Sequence, residues 1–496
     1  MGKPASILTR RFVLGGLLAG AGAPGLAEPL TRSLRPVARP EAGRRVAEAE
    51  MLVARAGLSG KIGYAVADAA TGEVLEVRNP LLGLPPASVT KAVTALYALE
   101  TLGPEHRFVT RLLATGPVRD GRLDGDLVLT GSGDPVLDTD MLGALVDRLA
   151  EAGVREVTGR FLYHAGALPR LAAIDPRQPP HVGYNPAISG LNLNFNRVHF
   201  EWKRAGGGYD VTMDARARLY APTVSVARMQ VVDRKGPVYT YSSKGGVDEW
   251  TVAQGALGKG GARWLPVRRP ALYCAEVFET LASAAGIALP GAEEVAAIPG
   301  GTALAEHRSA PLRDILRGML KYSTNMTAEA VGLASTIARG GQPATLAESA
   351  EAMSGWVAGR MGARKARFVD HSGLGDASEL SAIEMVRMLV AVAPEGTLRG
   401  LMKQVHLRDG RGRPLYDHPV EIRAKTGTLN FVSALAGYVT PPAGRELAFA
   451  IFTADMERRA SLSPQELERP AGGRSWITRS RRLQMGLLER WIGLYA

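Results

Sequence analysis

The sequence predicts an α+β chain of three-layer α/β/α type, interrupted by a long β-rich insertion. Three observations predict it. Strand signals lie near both ends: "KIGYAVADAATGEVLEVRNP" alternates and turns at Thr71-Gly72, and "NFVSALAGYV" with "RELAFAIFTA" are apolar runs joined at "TPPAG". Helical periodicity recurs at 270–286, 309–321, 325–339, 345–360 and 381–392. Between them, residues 175 to 270 are rich in glycine, proline and short strand-like pieces such as "LNLNFNRVHFEW" and "GYDVTMDA". Strands from two ends of a helical middle make one sheet covered by helices.

The N-terminus reads as an export signal over 1–27. Arg10-Arg11 forms a basic n-region, an apolar Gly/Ala-rich run starts at Phe12, and small residues allow cleavage after Ala27. "TRRFVL" fits a twin-arginine signal in part, and a general secretory signal equally. The run is too short and glycine-rich to span a bilayer, and no second run of spanning length follows. The expectation is a periplasmic protein with at most peripheral membrane contact.

Composition narrows the function. With 46% hydrophobic and 22% charged residues the chain is globular rather than disordered. The net charge of +12 comes mostly from scattered arginines, without a long basic run or interleaved aromatics, so no nucleic-acid partner is expected. The single cysteine, Cys274, sits in an apolar helical pattern and leaves no internal disulfide to form. Eight histidines are dispersed without a His-x-x-x-His pair, so neither a metal nor another cofactor is expected.

Following the first hairpin, "PPASVTKAVTALYALETLGP" carries helical apolar spacing and, from Pro85 to Leu99, one charge, Lys91. Lys91 lies one turn beyond Ser88, on the same face. Alone this stretch is explained by a capping serine and a lysine that reaches solvent. The sharper reading pairs a nucleophile with a base, since a serine hydroxyl attacks well only when a neighbour takes its proton. Lysine serves once burial favours its neutral form. Downstream, "LDGDLVLTGSGDPVL" reads as short strands and "MLGALVDRLAEAGV" as an amphipathic helix. The last helix, "RLQMGLLERWIGLYA", is amphipathic and is expected to pack on the late strands rather than on a membrane.

Two distant motifs favour the sharper reading. "KYSTNMTAEA" holds Ser323-Thr324-Asn325, and "RAKTGTLNF" holds Lys425-Thr426-Gly427-Thr428. Ser-x-x-Lys, Ser-x-Asn and Lys-Thr-Gly each occur once, in that order, which is the pattern of the serine penicillin-recognising enzymes. In that chemistry Ser88 forms an acyl-enzyme and Lys91 takes its proton. Ser323 relays a proton to the leaving amine, Asn325 holds Lys91 and the substrate amide, and Lys425 supplies positive potential and depresses Lys91 further. Gly427 lets the strand edge approach the substrate, the hydroxyls of Thr426 and Thr428 bind a carboxylate, and the N–H groups of Ser88 and Thr428 form an oxyanion hole.

With these residues the chain resembles the D-alanyl-D-alanine carboxypeptidase/endopeptidase family, the class C low-molecular-mass penicillin-binding proteins. "SGLNLNFNRV", "VDHSGLGDASELS" and "HRSAPLRDILRGMLKYSTN" are similar to family segments, and a gap of more than two hundred residues separates the first two motifs. One departure is Thr324, where the family often has aspartate or asparagine; its side chain is expected to point away from the cleft. The resemblance implies a β-lactamase/transpeptidase-like catalytic domain, an antiparallel sheet flanked by helices, over 28–104 and 300–496. The insertion over 105–299 forms an accessory region of two small modules. It implies hydrolysis of terminal D-Ala-D-Ala or of D-Ala–diaminopimelate cross-links, with peptidoglycan stem peptides as partners and β-lactam antibiotics as covalent inhibitors. A class A β-lactamase also uses these motifs, but needs a loop asparagine, and none occurs between Asn325 and Asn430. A cell-wall scaffold of the same fold without turnover is the non-enzymatic alternative.

Overall fold

The structure, a computed structural model, describes residues 48–409, 411–463 and 466–496; the expected export signal at 1–27 lies outside them. Its central sheet has six antiparallel strands in the order Lys403–Gln404, Glu421–Leu429, Val432–Thr440, Leu447–Ala454, Lys61–Asp68, Val74–Arg78. The first hairpin forms as the sequence predicts. The Asp68 carboxylate accepts from the N–H groups of Ala70 and Thr71, and Gly72 takes the left-handed turn position. Strands from the two ends of the chain meet where Lys61–Asp68 pairs along its full length with Leu447–Ala454.

Strand alternation builds the layers. Ala65 and Ala67 face a core shared with helices Thr90–Leu102, Leu312–Tyr322, Leu346–Met361 and Ala382–Val392. Tyr64 and Val66 face a second core with Leu483, Leu487, Leu488 and Trp491 of the C-terminal helix Gly473–Tyr495. Both faces are covered, which explains why Leu447–Ala454 is buried at every position and lacks a polar alternation. The C-terminal helix packs on the strands as expected: Trp491 lies against Tyr64 with ring centroids 5.8 Å apart, and its indole N–H donates to Glu76. Among the described residues no helix is long and apolar enough to cross a membrane.

The segment between the first two motifs builds a mixed five-stranded sheet, Ala292–Glu294, Phe161–His164, Leu127–Gly131, Val109–Ala114 and Thr302–Arg308, together with three three-stranded sheets of its own. One apolar cluster, from Leu112 to Ala305, joins them with helices Thr139–Glu151 and Pro270–Ala284, and it buries Cys274. Strand Thr302–Arg308 falls on the catalytic side of a boundary at 299, yet it pairs with Val109–Ala114 inside this region. A smaller cluster sets Leu168, Ile174 and Ile188 against Met326, Ala330 and Leu333 of helix Asn325–Ala338. The insertion therefore rests on the helix that carries the second motif.

Candidate active site

Ser88 sits in a short 3-10 turn, Ala87–Val89, that runs directly into helix Thr90–Leu102. Neither element has a side-chain cap, so Ser88 is not a capping residue. Its Oγ instead accepts from Lys91 Nζ at 3.0 Å. Ala87, just before it, has φ +46°, a strained value for a residue with a Cβ. Two glycines make room for this turn. A Cβ on Gly373 would lie 1.8 Å from the Ala87 carbonyl oxygen, and one on Gly427 would lie 2.7 Å from the Pro86 carbonyl oxygen and 3.0 Å from Ser88 N. Gly427 is thus required by the approach of strand Glu421–Leu429 to the serine turn, a constraint separate from substrate approach. Gly373→Ala is expected to cost about 2–4 kcal/mol, because the obstructing atom is backbone and φ is +70°. Urea unfolding measures it; a loss below about 1 kcal/mol would show that the turn yields.

Lys91 does not reach solvent. It is 0% exposed and donates to Ser88 Oγ, to Asn325 Oδ1 at 2.8 Å and to the Ser372 carbonyl at 2.7 Å. Burial pushes it down to about 8, against the upward pull of Glu329 and Asp370. Glu329 is itself fully buried and pushed up to about 8 by burial and by Asp370, while its carboxylate accepts from the N–H groups of His371 and Ser372. Asp370 in turn accepts from Gly373 N and Gly375 N. The segment 370–375 therefore closes one side of the lysine and holds a carboxylate on each flank.

Across the cleft, Ser323 ends helix Leu312–Tyr322 in a left-handed conformation, φ +60°. Its Oγ accepts from Lys425 Nζ at 2.9 Å, and the same ammonium donates to the Thr426 carbonyl at 2.7 Å. Lys425 is 1% exposed and held well below the ordinary lysine range, first by burial and then by the charges of Lys91 and Lys403. Asn325 joins the two walls: Oδ1 takes Lys91, and Nδ2 donates to the Tyr184 carbonyl of the insertion at 2.9 Å.

These groups border a cavity of about 1130 Å³. Ser88, Ser323, Asn325 and Thr428 line it directly, while Lys91, Lys425 and Gly427 lie behind the wall and Thr324 stays out of it. Among the described residues Thr426 meets the network through its carbonyl rather than its hydroxyl. Gln178 and Tyr184 come from the insertion, and Arg459, Arg469, Arg474 and Arg481 from the C-terminal segment. Polar contacts fix that joint: Asp376 is ion-paired with Arg177 and Arg459, and Glu468 is ion-paired with Arg263 and hydrogen-bonded to His181, which burial holds toward its neutral form.

Residue-by-residue reading missed Glu329, Asp370, Ser372 and Tyr184. Glu329 had a usable signal, the one that drew attention to Lys91: it is the only charge in the apolar helix "NMTAEAVGLASTIA", one turn past Asn325. Tyr184 contributes a carbonyl, for which side-chain chemistry gives no sign.

A six-stranded antiparallel sheet with helices on both faces, carrying Ser-x-x-Lys on one helix opposite Lys-Thr-Gly on an edge-proximal strand, has the architecture of the serine penicillin-recognising enzymes. Comparison with known proteins carries this one step further. The profile of the D-Ala-D-Ala carboxypeptidase 3 (S13) family matches residues 47–467, and the chain belongs to that family. It is a serine-type D-Ala-D-Ala peptidase. A D-alanyl-D-alanine carboxypeptidase of Actinomadura sp. (strain R39) is 29% identical over 454 residues, covering 82% of this chain and 79% of its own. The D-alanyl-D-alanine carboxypeptidase DacB of Haemophilus influenzae is 25% identical over 408 residues, 76% of this chain and 83% of its own. The crystal structure of penicillin binding protein 4 from Haemophilus influenzae shares the fold, with a TM-score of 0.72 at 21% identity over 89% of this chain and 99% of the other.

Proposed function

We propose that Ser88 is the nucleophile of this peptidase, Lys91 its general base, and Ser323, Asn325 and Lys425 the groups that position and polarise the reaction. The observation that carries the reading is the triply bonded, fully buried Lys91 ammonium beside Ser88. When Lys91 loses a proton it keeps two N–H donors for Asn325 and Ser372 and turns its lone pair toward Ser88. Ser88 Oγ then attacks the carbonyl of the penultimate D-alanine and gives its proton to Lys91. The N–H groups of Ser88 and Thr428 receive the oxyanion. As the C–N bond breaks, the proton passes through Ser323 to the departing amine, leaving the acyl group on Ser88. Water takes the reverse route: Lys91 accepts its proton, the acyl–oxygen bond breaks, and the proton returns to Ser88.

The substrate of this reading is a peptidoglycan stem peptide ending in D-Ala-D-Ala or a D-Ala–diaminopimelate cross-link, reached after export, and β-lactams acylate Ser88. The accessory region runs from 105 to about 308 rather than to 299, because Thr302–Arg308 pairs within it. Through Tyr184 it walls the site.

The test is the mass of the intact chain after incubation with benzylpenicillin, followed by peptide mapping, beside release of D-alanine from a D-Ala-D-Ala pentapeptide. One penicilloyl group on the Ser88 peptide and free D-alanine are expected. An adduct mapped elsewhere would refute the assignment, and rapid release of hydrolysed penicillin would favour β-lactamase turnover. The pH profile is a second test. The reactive lysine is the neutral one, so with Lys91 at about 8 the acylation rate rises about tenfold per pH unit below that value and levels above it. A rate still climbing at pH 10 would place the base elsewhere.

A further inference from the structure

The C-terminal helix Gly473–Tyr495, besides packing on the sheet, presents Arg474, Ser475, Thr478 and Arg481 to the cavity. Arg481 Nη2 donates to Thr428 Oγ1 at 3.4 Å, so a residue near the end of the chain touches the third motif at its cavity-lining hydroxyl. Among the described residues no carboxylate lies in ion-pair range of Arg481 or of Arg474. Nearby arginines are engaged: Arg459 with Asp376, Arg479 with the Gly57 carbonyl and Arg490 with Glu76. Arg474 and Arg481 thus face the cavity without an ion-pair partner among the described residues, while Glu468, which also lines it, is taken up by Arg263. Lys403, pressed down first by burial and then by the charge of Arg481, adds to the same field, which extends to Lys425.

The hydrogen-bond geometry gives this charge a direction. Thr428 Oγ1 accepts from Arg481, so its single proton is free to be donated into the cavity. The guanidinium is planar, with further N–H groups beside the one that holds Thr428. A carboxylate above this pair receives one O–H and at least one N–H, from donors already fixed relative to each other. Ser88 lines the same cavity as this pair, so a substrate that acylates Ser88 lies within the cavity that Thr428 and Arg481 also line.

We propose that Arg481, with Thr428, clamps the α-carboxylate of the departing D-amino acid and is a specificity-determining residue for substrates that are anionic there. The group is the terminal carboxylate of D-alanine in the carboxypeptidase reaction and the carboxylate next to the scissile nitrogen in a diaminopimelate cross-link. The inference rests on the Ser88 reading, and the experiment separates the two. Acylation rate constants are measured by intact mass for benzylpenicillin and for its methyl ester, in the full chain and in Arg481→Ala and Arg481→Lys. The ratio of acid to ester rates is expected to fall about tenfold or more in Arg481→Ala, as loss of a charge-assisted bond implies, with part regained by lysine. Equal losses for acid and ester, or a fall in the ratio of less than about threefold, would overturn the inference while leaving Ser88 in place. No acylation of the wild type by either compound would overturn both. Arg481 is exposed, and the ester rate reports whether each variant retains an intact site.

Discussion

Ser88→Ala will fold normally and take up no penicillin. The hydroxyl removed accepts a single hydrogen bond, from Lys91, which keeps Asn325 and Ser372 as partners, so the local network survives its loss. Circular dichroism and thermal unfolding will match the wild type. Release of D-alanine from a D-Ala-D-Ala peptide will fall by at least about 10³-fold, since without a nucleophile the two-step path through an acyl-enzyme is closed. Gel fluorescence with a labelled penicillin will read zero for the variant and one equivalent for the wild type. A variant that still carries label would move the nucleophile to another residue.

Lys91→Met has the second largest effect. Methionine keeps the length of the side chain and removes the charge and every N–H. The acylation rate is expected to fall by about 10²–10⁴-fold, the range for loss of a general base, and to lose its midpoint near pH 8. Stability should fall by about 1–3 kcal/mol, because relief of the buried charge is offset by the Ser372 carbonyl and Asn325 Oδ1, which lose their donor. Glu329 helps here: it loses the cation that draws it down and remains a neutral acid within its bonds to His371 and Ser372. Stopped-flow acylation and urea unfolding on one preparation test both halves. Unchanged acylation would assign the base to another group, and severe unfolding would make Lys91 a structural ion.

How much of this was legible beforehand depends on the range of each interaction. The pair Ser88 and Lys91 is readable because helical spacing alone puts both side chains on one face. The strand alternation of 61–68 and the apolar runs of 432–454 likewise report their own burial. Glu329 was within reach of the same argument as Lys91, yet a lone charge in an apolar helix does not say whether solvent or a partner receives it. The strand at 302–308 was not legible, because its identity comes from pairing with Val109–Ala114 rather than from an alternation of its own.

By itself, then, the sequence determined the α+β class, the three motifs in order, and the helical proximity of the nucleophile and its base, since each depends on local periodicity or on residue type. Only the tertiary structure decided that Lys91 is buried rather than solvated, that Gly427 and Gly373 make room for the Ser88 turn, and that Arg481 reaches Thr428. Those facts rest on contacts between segments far apart in the chain: desolvation, steric fit and charge neutralisation depend on which atoms the fold brings within a few ångströms, and spacing along the chain does not encode that.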